Sequence, residues 1–108
     1  MRIDIKQLEV LHHKLRTMLL WLEEETGFES TETSSRRIGD SGVHGTDPTR
    51  GYDLRCRDEM VGKAIETFIN DNWEYDPSRK DKKCAKLHGV GSALHLHLQV
   101  HPSTKVRV

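Results

Sequence analysis

Near the C-terminus, Leu94-His95-Leu96-His97-Leu98-Gln99-Val100 alternates aliphatic and polar residues without a break. A period of two fits an extended strand, in which successive side chains point to opposite faces of a sheet. The aliphatic set must lie against a core, and the polar set must lie on the other side. His95 and His97 therefore share a face, roughly 7 Å apart along the strand. Any fold that accommodates this stretch needs a sheet with one apolar and one polar face.

A second run of the same kind, Tyr52-Asp53-Leu54-Arg55-Cys56-Arg57, directs Tyr52, Leu54 and Cys56 inward. Asp53, Arg55 and Arg57 then face outward. If both strands join one sheet, Asp53 and His97 emerge on the same face. His44 arrives from the preceding loop, where Gly42, Gly45 and Gly51 permit tight turns. Two imidazoles and a carboxylate meeting in space make a catalytic-type zinc site, with three protein ligands and an open position for water. His-x-His on a strand also occurs on solvated faces, so His44 and Asp53 carry much of that reading by supplying the missing ligand types.

The remainder of the chain supplies a core. Residues 4–25 read as a helix, because Leu8, Leu11, Leu15, Met18, Leu19 and Leu22 recur at three- and four-residue spacing. Trp21 flanks that stripe, and His12 and His13 read as ordinary helix residues. Gly27 is the expected stop. Residues 28–35 have hydroxyl-rich strand character, and residues 36–51 form a long loop. Asp58 is an expected N-cap, with Glu59 in the first turn. Met60, Val61, Ala64, Ile65, Phe68 and Ile69 form the core stripe of the second helix, which ends near Asn70–Asn72. Trp73 and Tyr75 either close the core or wall a cleft, and closing the core is the better fit. Residues 76–83 form a charged turn, residues 85–92 lead into the last strand, and the tail from Pro102 is a short edge strand or a frayed end.

The chain has 108 residues, enough for a single small domain, 1–108. Its formal net charge of zero gives no reason to expect electrostatic capture of nucleic acid. No apolar run is long enough to span a membrane, and the polar N-terminus has no signal-peptide pattern. Cys56 and Cys84 fit no zinc-finger or redox spacing and read as free thiols. The expected architecture is α+β, with two helices packed on the aliphatic face of a small antiparallel sheet and a metal site on the other face.

Taken in order, these motifs resemble a family. Ser41-Gly-Val-His44 with Arg50-Gly-Tyr-Asp53, followed by His95-Leu-His97, is similar to the Ser-x-His…Gly-x-Asp and terminal His-x-His elements of the zinc D-alanyl-D-alanine carboxypeptidases and related phage endolysins. These are grouped with lysostaphin-type and hedgehog-type domains. Thr33-Ser34-Ser35-Arg36-Arg37 resembles the family's Thr-Ser-x-x-Arg segment. The likeness covers residues 28–101. Two departures stand out. The gap from His44 to Asp53 is a couple of residues longer than usual, and Leu94 stands where many members have an acidic base.

The resemblance implies Zn²⁺ held by His44, Asp53 and His97, with His95 as general base or oxyanion stabiliser. Arg37 (or Arg36) would steady developing negative charge. Ser41 would meet the substrate, a peptidoglycan stem peptide, and His88 would either line the site or be an ordinary loop histidine; Arg50, read from its own chemistry, is either a solvated charge or a clamp for a substrate carboxylate. The resemblance further implies a bacteriophage or bacterial wall-hydrolysing enzyme, held in the cytoplasm of the producing cell until it is released or assembled into a particle. Two alternatives stand beside it. One is a non-catalytic relative that binds wall peptide or a virion partner; the other is an assembly protein whose histidines hold no metal.

Overall fold

A computed structural model describes residues 9–28, 32–34 and 38–107 of the chain. Helix α1 (His13–Thr26) is followed by strands β1 (Glu32–Ser34) and β2 (Gly51–Arg55), and then by helix α2 (Glu59–Asn72). Strands β3 (Trp73–Glu74), β4 (Ala85–His88), β5 (His95–Gln99) and β6 (Lys105–Val106) complete the order. Four strands form one antiparallel sheet in the order β1-β2-β5-β4, and β3 pairs with β6 in a two-stranded ribbon.

The alternation of β5 sets the two faces as expected. Tyr52, Leu54, Leu96 and Leu98 are all fully buried and share one core with Leu15, Met18, Leu19 and Leu22 of α1 and with Ile65 and Ile69 of α2. Trp73 and Tyr75 belong to that core, so they close it. Cys84 is also buried there, and burial pushes its thiol up to about 12, well away from thiolate at neutral pH. No helix among the described residues is long and apolar enough to cross a membrane.

Four details correct the sequence reading. Helix α1 starts at His13, and residues 9–12 are not part of it. The backbone there bonds to Thr49 instead, through Thr49 N to Val10 O (2.6 Å) and His12 N to Thr49 O (2.8 Å). Leu11 is buried without being helical, and His12 is the N-cap whose Nδ1 accepts from Lys14 N. Residues 85–88 form a strand rather than a lead-in, pairing with β5 along its whole length. Of the expected strand at 28–35, Glu32–Ser34 is a strand and Phe28 is not, while residues 29–31 and 35 lie outside the described residues.

The fourth correction concerns α2. Its Asp58 cap holds, with Oδ1 accepting from Met60 N and Val61 N. However, Met60, Val61 and Ala64 are exposed, and the buried stripe is Gly62, Ile65 and Ile69. Gly62 sets this rotation. A Cβ there would lie 2.7 Å from Cys56 Sγ and 2.8 Å from Leu87 Cδ1, so the helix approaches β4 more closely than any side chain at 62 would allow.

That approach lets α2 cover the outer edge of β4. Asn70 Nδ2 donates to Ala85 O (2.9 Å), while Asn70 Oδ1 accepts from Ala85 N (2.9 Å). One turn earlier, Glu66 Oε2 accepts from Leu87 N (2.6 Å). These side chains stand in for a fifth strand and satisfy backbone groups that a bare edge would leave open. Asn70→Ala is therefore expected to cost about 2 kcal/mol, since it strips partners from both a donor and an acceptor. Denaturant unfolding of the variant against wild type reads that loss directly.

Candidate metal centre

β2 and β5 pair with Asp53 opposite His97 and Arg55 opposite His95. β4 and β5 pair with Lys86 opposite His97 and His88 opposite His95. Cross-strand partners share a face, so Asp53, Lys86, His88, His95 and His97 all project from the side away from the core.

His44 joins them from a single 3₁₀ turn, Val43–Gly45, in the loop before β2. Gly45 N donates to Gly42 O, and Arg50 N donates to Val43 O and to Thr46 Oγ1. The turn is thereby held against the start of β2. Gly51 permits the contact, because a Cβ there would sit 2.7 Å from Val43 Cγ2 and 3.1 Å from the His44 ring. His44 ends only 5 % exposed, facing Asp53.

Asp53 Oδ1 lies 2.8 Å from His97 Nδ1 and 3.3 Å from His44 Nε2. Burial opposes ionisation of the Asp53 carboxyl. Its hydrogen bonds to His44 and His97, and their charge, outweigh that and hold it well below the usual carboxylate range. One potential donor atom from each of these three residues lies within 4.8 Å of the other two. On a tetrahedral ion, donor atoms stand about 3.3 Å apart and two imidazole centroids about 5 Å apart. The His44 and His97 rings are 5.2 Å apart, tilted at 55°. His44, Asp53 and His97 thus form a group that could hold a metal ion, and their donor set and spacing fit one.

The surroundings orient His97. Its Nε2 lies 3.2 Å from Gln99 Oε1, and Gln99 Nε2 donates to Lys83 O (2.7 Å). His88 and His95 meet edge to face at 4.0 Å, closer than two ligands of one tetrahedral ion would stand, and His88 lies 6.1 Å from the His97 ring. Burial, followed by the neighbouring His95 and His97, lowers the pKa of His88. His95 Nδ1 lies 2.9 Å from Ala93 O. A carbonyl can only accept, so a neutral His95 ring has its proton on Nδ1 and its lone pair on Nε2.

An open cleft of about 970 Å³ spreads over these groups, lined by His44, Asp53, His88, His95, His97 and Gln99 and walled by Lys82, Lys83 and Lys86. Of the other residues read from sequence, Ser41 is exposed outside that lining. Arg50 is also outside it, with its guanidinium donating to Val100 O (3.4 Å) and lying near His12. Arg50 is thereby directed away from His44, Asp53 and His97. Arg36 and Arg37 lie outside the described residues. Lys86 and Gln99 had no place in the sequence reading of the site. The signal for Lys86 was present in Ala85-Lys-Leu-His88, which alternates as β5 does.

No protein-family description matches this chain, and no match was found among curated proteins or solved structures.

Proposed function

We propose that this chain is a zinc-dependent peptidase acting on a peptide of bacterial cell-wall peptidoglycan, in the manner of the carboxypeptidases and endolysins its motifs resemble. The observation that carries this reading is the convergence of His44, Asp53 and His97, from a loop and two paired strands, on the floor of an open cleft. The hedgehog-type peptidase fold is part of the same proposal, supported by the α+β layering and by the placement of the site on the polar face. Imidazole and carboxylate donors suit zinc.

When bound, zinc would polarise a peptide carbonyl and make its water acidic enough to attack near neutral pH. The chain's own residues supply the rest. His95, with its proton on Nδ1 held by Ala93 O, has Nε2 free to take a proton from water. It fills the role that Leu94, half-buried and aliphatic, cannot. Lys86 stands cross-strand from His97 and walls the cleft with Lys82 and Lys83. These ammonium groups suit a substrate carboxylate.

The test is elemental analysis followed by turnover. Wild type is expected to carry one zinc per chain, His44→Ala and His97→Ala none, and purified wall fragments should be cleaved by wild type but not by His95→Ala. A zinc-loaded protein that leaves wall fragments intact would instead support the non-catalytic reading, which the leucine at position 94 favours.

A further inference from the structure

We infer that Gln99 is a positioning residue that selects the nitrogen His97 offers to the metal. This rests on the metal centre proposed above but not on any peptidase activity. An amide side chain has a donor end and an acceptor end. The Gln99 donor end is committed, because Nε2 lies 2.7 Å from the main-chain oxygen of Lys83, which can only accept. The acceptor end, Oε1, must then face His97, and it lies 3.2 Å from His97 Nε2.

An acceptor at that position requires a proton on His97 Nε2. The remaining ring nitrogen, Nδ1, points at Asp53 Oδ1, 2.8 Å away. With Nε2 committed to Gln99, Nδ1 is the ring nitrogen left to bond a metal ion beside Asp53, and the ion would replace the proton that Nδ1 shares with the carboxylate. The line Lys83 O, Gln99, His97, Asp53 would therefore commit Nε2 to Gln99, leave Nδ1 beside Asp53 for a metal, and give that ligand an outer partner of the kind that raises its basicity. It also ties the cleft wall at Lys83 to the metal ligand through one side chain.

Two variants and two readouts on the full chain test this. Gln99→Leu removes both hydrogen bonds. Gln99→Glu also loses the bond to Lys83, since a carboxylate cannot donate, but still accepts from His97 Nε2. Zinc affinity, measured by competition with a chromophoric chelator, is expected to fall about 10–100-fold in Gln99→Leu and to be restored in Gln99→Glu. Long-range proton–nitrogen correlation on the zinc-loaded wild type should show His97 protonated at Nε2 and metal-bound through Nδ1. A merely structural role for Gln99 would weaken both variants alike, which overturns the inference. So does unchanged affinity in Gln99→Leu, or zinc bound through His97 Nε2. Failure of the metal centre itself looks different, because wild type would then take up no zinc.

Discussion

Replacing Asp53 with alanine is expected to abolish metal binding and, with it, any hydrolysis of wall peptide. Asp53 is the sole carboxylate of the ligand group and the atom on which both imidazoles converge, at 2.8 Å from His97 and 3.3 Å from His44. Two imidazoles alone leave the ion short of a ligand and of its negative charge. The loss should exceed the roughly 10–100-fold expected on removing an outer partner. Asp53→Asn sharpens the test, since it keeps the shape but removes the charge. Elemental analysis of both variants, with circular dichroism to confirm the fold, gives the answer. One metal per chain retained in Asp53→Asn would show that the negative charge at this position is not needed to hold the metal. Chelator should lower the melting temperature of wild type and leave that of Asp53→Ala unchanged, because an ion that binds only the folded state adds to its stability.

The largest effect on stability is expected at Leu98→Ala, about 3 kcal/mol. Leu98 is fully buried and sits between His97 and Gln99 on β5, with Tyr52 and Ala85 as its cross-strand neighbours. Truncation removes apolar area and leaves a cavity that a sheet bonded on both sides cannot close. In a domain of this size such a loss is a large fraction of the total stability. Denaturant unfolding should show the midpoint fall steeply, while Val90→Ala, at a residue 83 % exposed, should barely move it. An equal response at the two positions would mean that β5 does not lie over the core. Because His97 and Gln99 flank Leu98, Leu98→Ala should also weaken metal binding.

Much of this arrangement was legible in local patterning. Alternation in β2 and β5 assigned Asp53 and His97 to the polar face and Tyr52, Leu54, Leu96 and Leu98 to the core, as the structure has them. The Asp58 cap and the Gly27 stop were equally readable, since both follow from chemistry within one turn of the helix. The misreadings were long-range. Leu11 continues the apolar period of α1, but Thr49 captures the backbone beside it. Met60, Val61 and Ala64 continue the period of α2, but Gly62 lets the helix turn its small side to β4.

Which residues share a face is written into the chain locally, because side-chain direction in a strand follows from parity alone. The sequence also singled out His44, Asp53 and His97 as the groups worth bringing together. Three-dimensional packing was needed to make β2 and β5 neighbours in a register that sets Asp53 against His97, and to bring Lys86 of β4 beside them. It alone turned Arg50 from the cleft and bound Gln99 to the Lys83 carbonyl. Register and loop path depend on contacts between residues far apart in the chain. No local period encodes those contacts; burial of the shared core selects them.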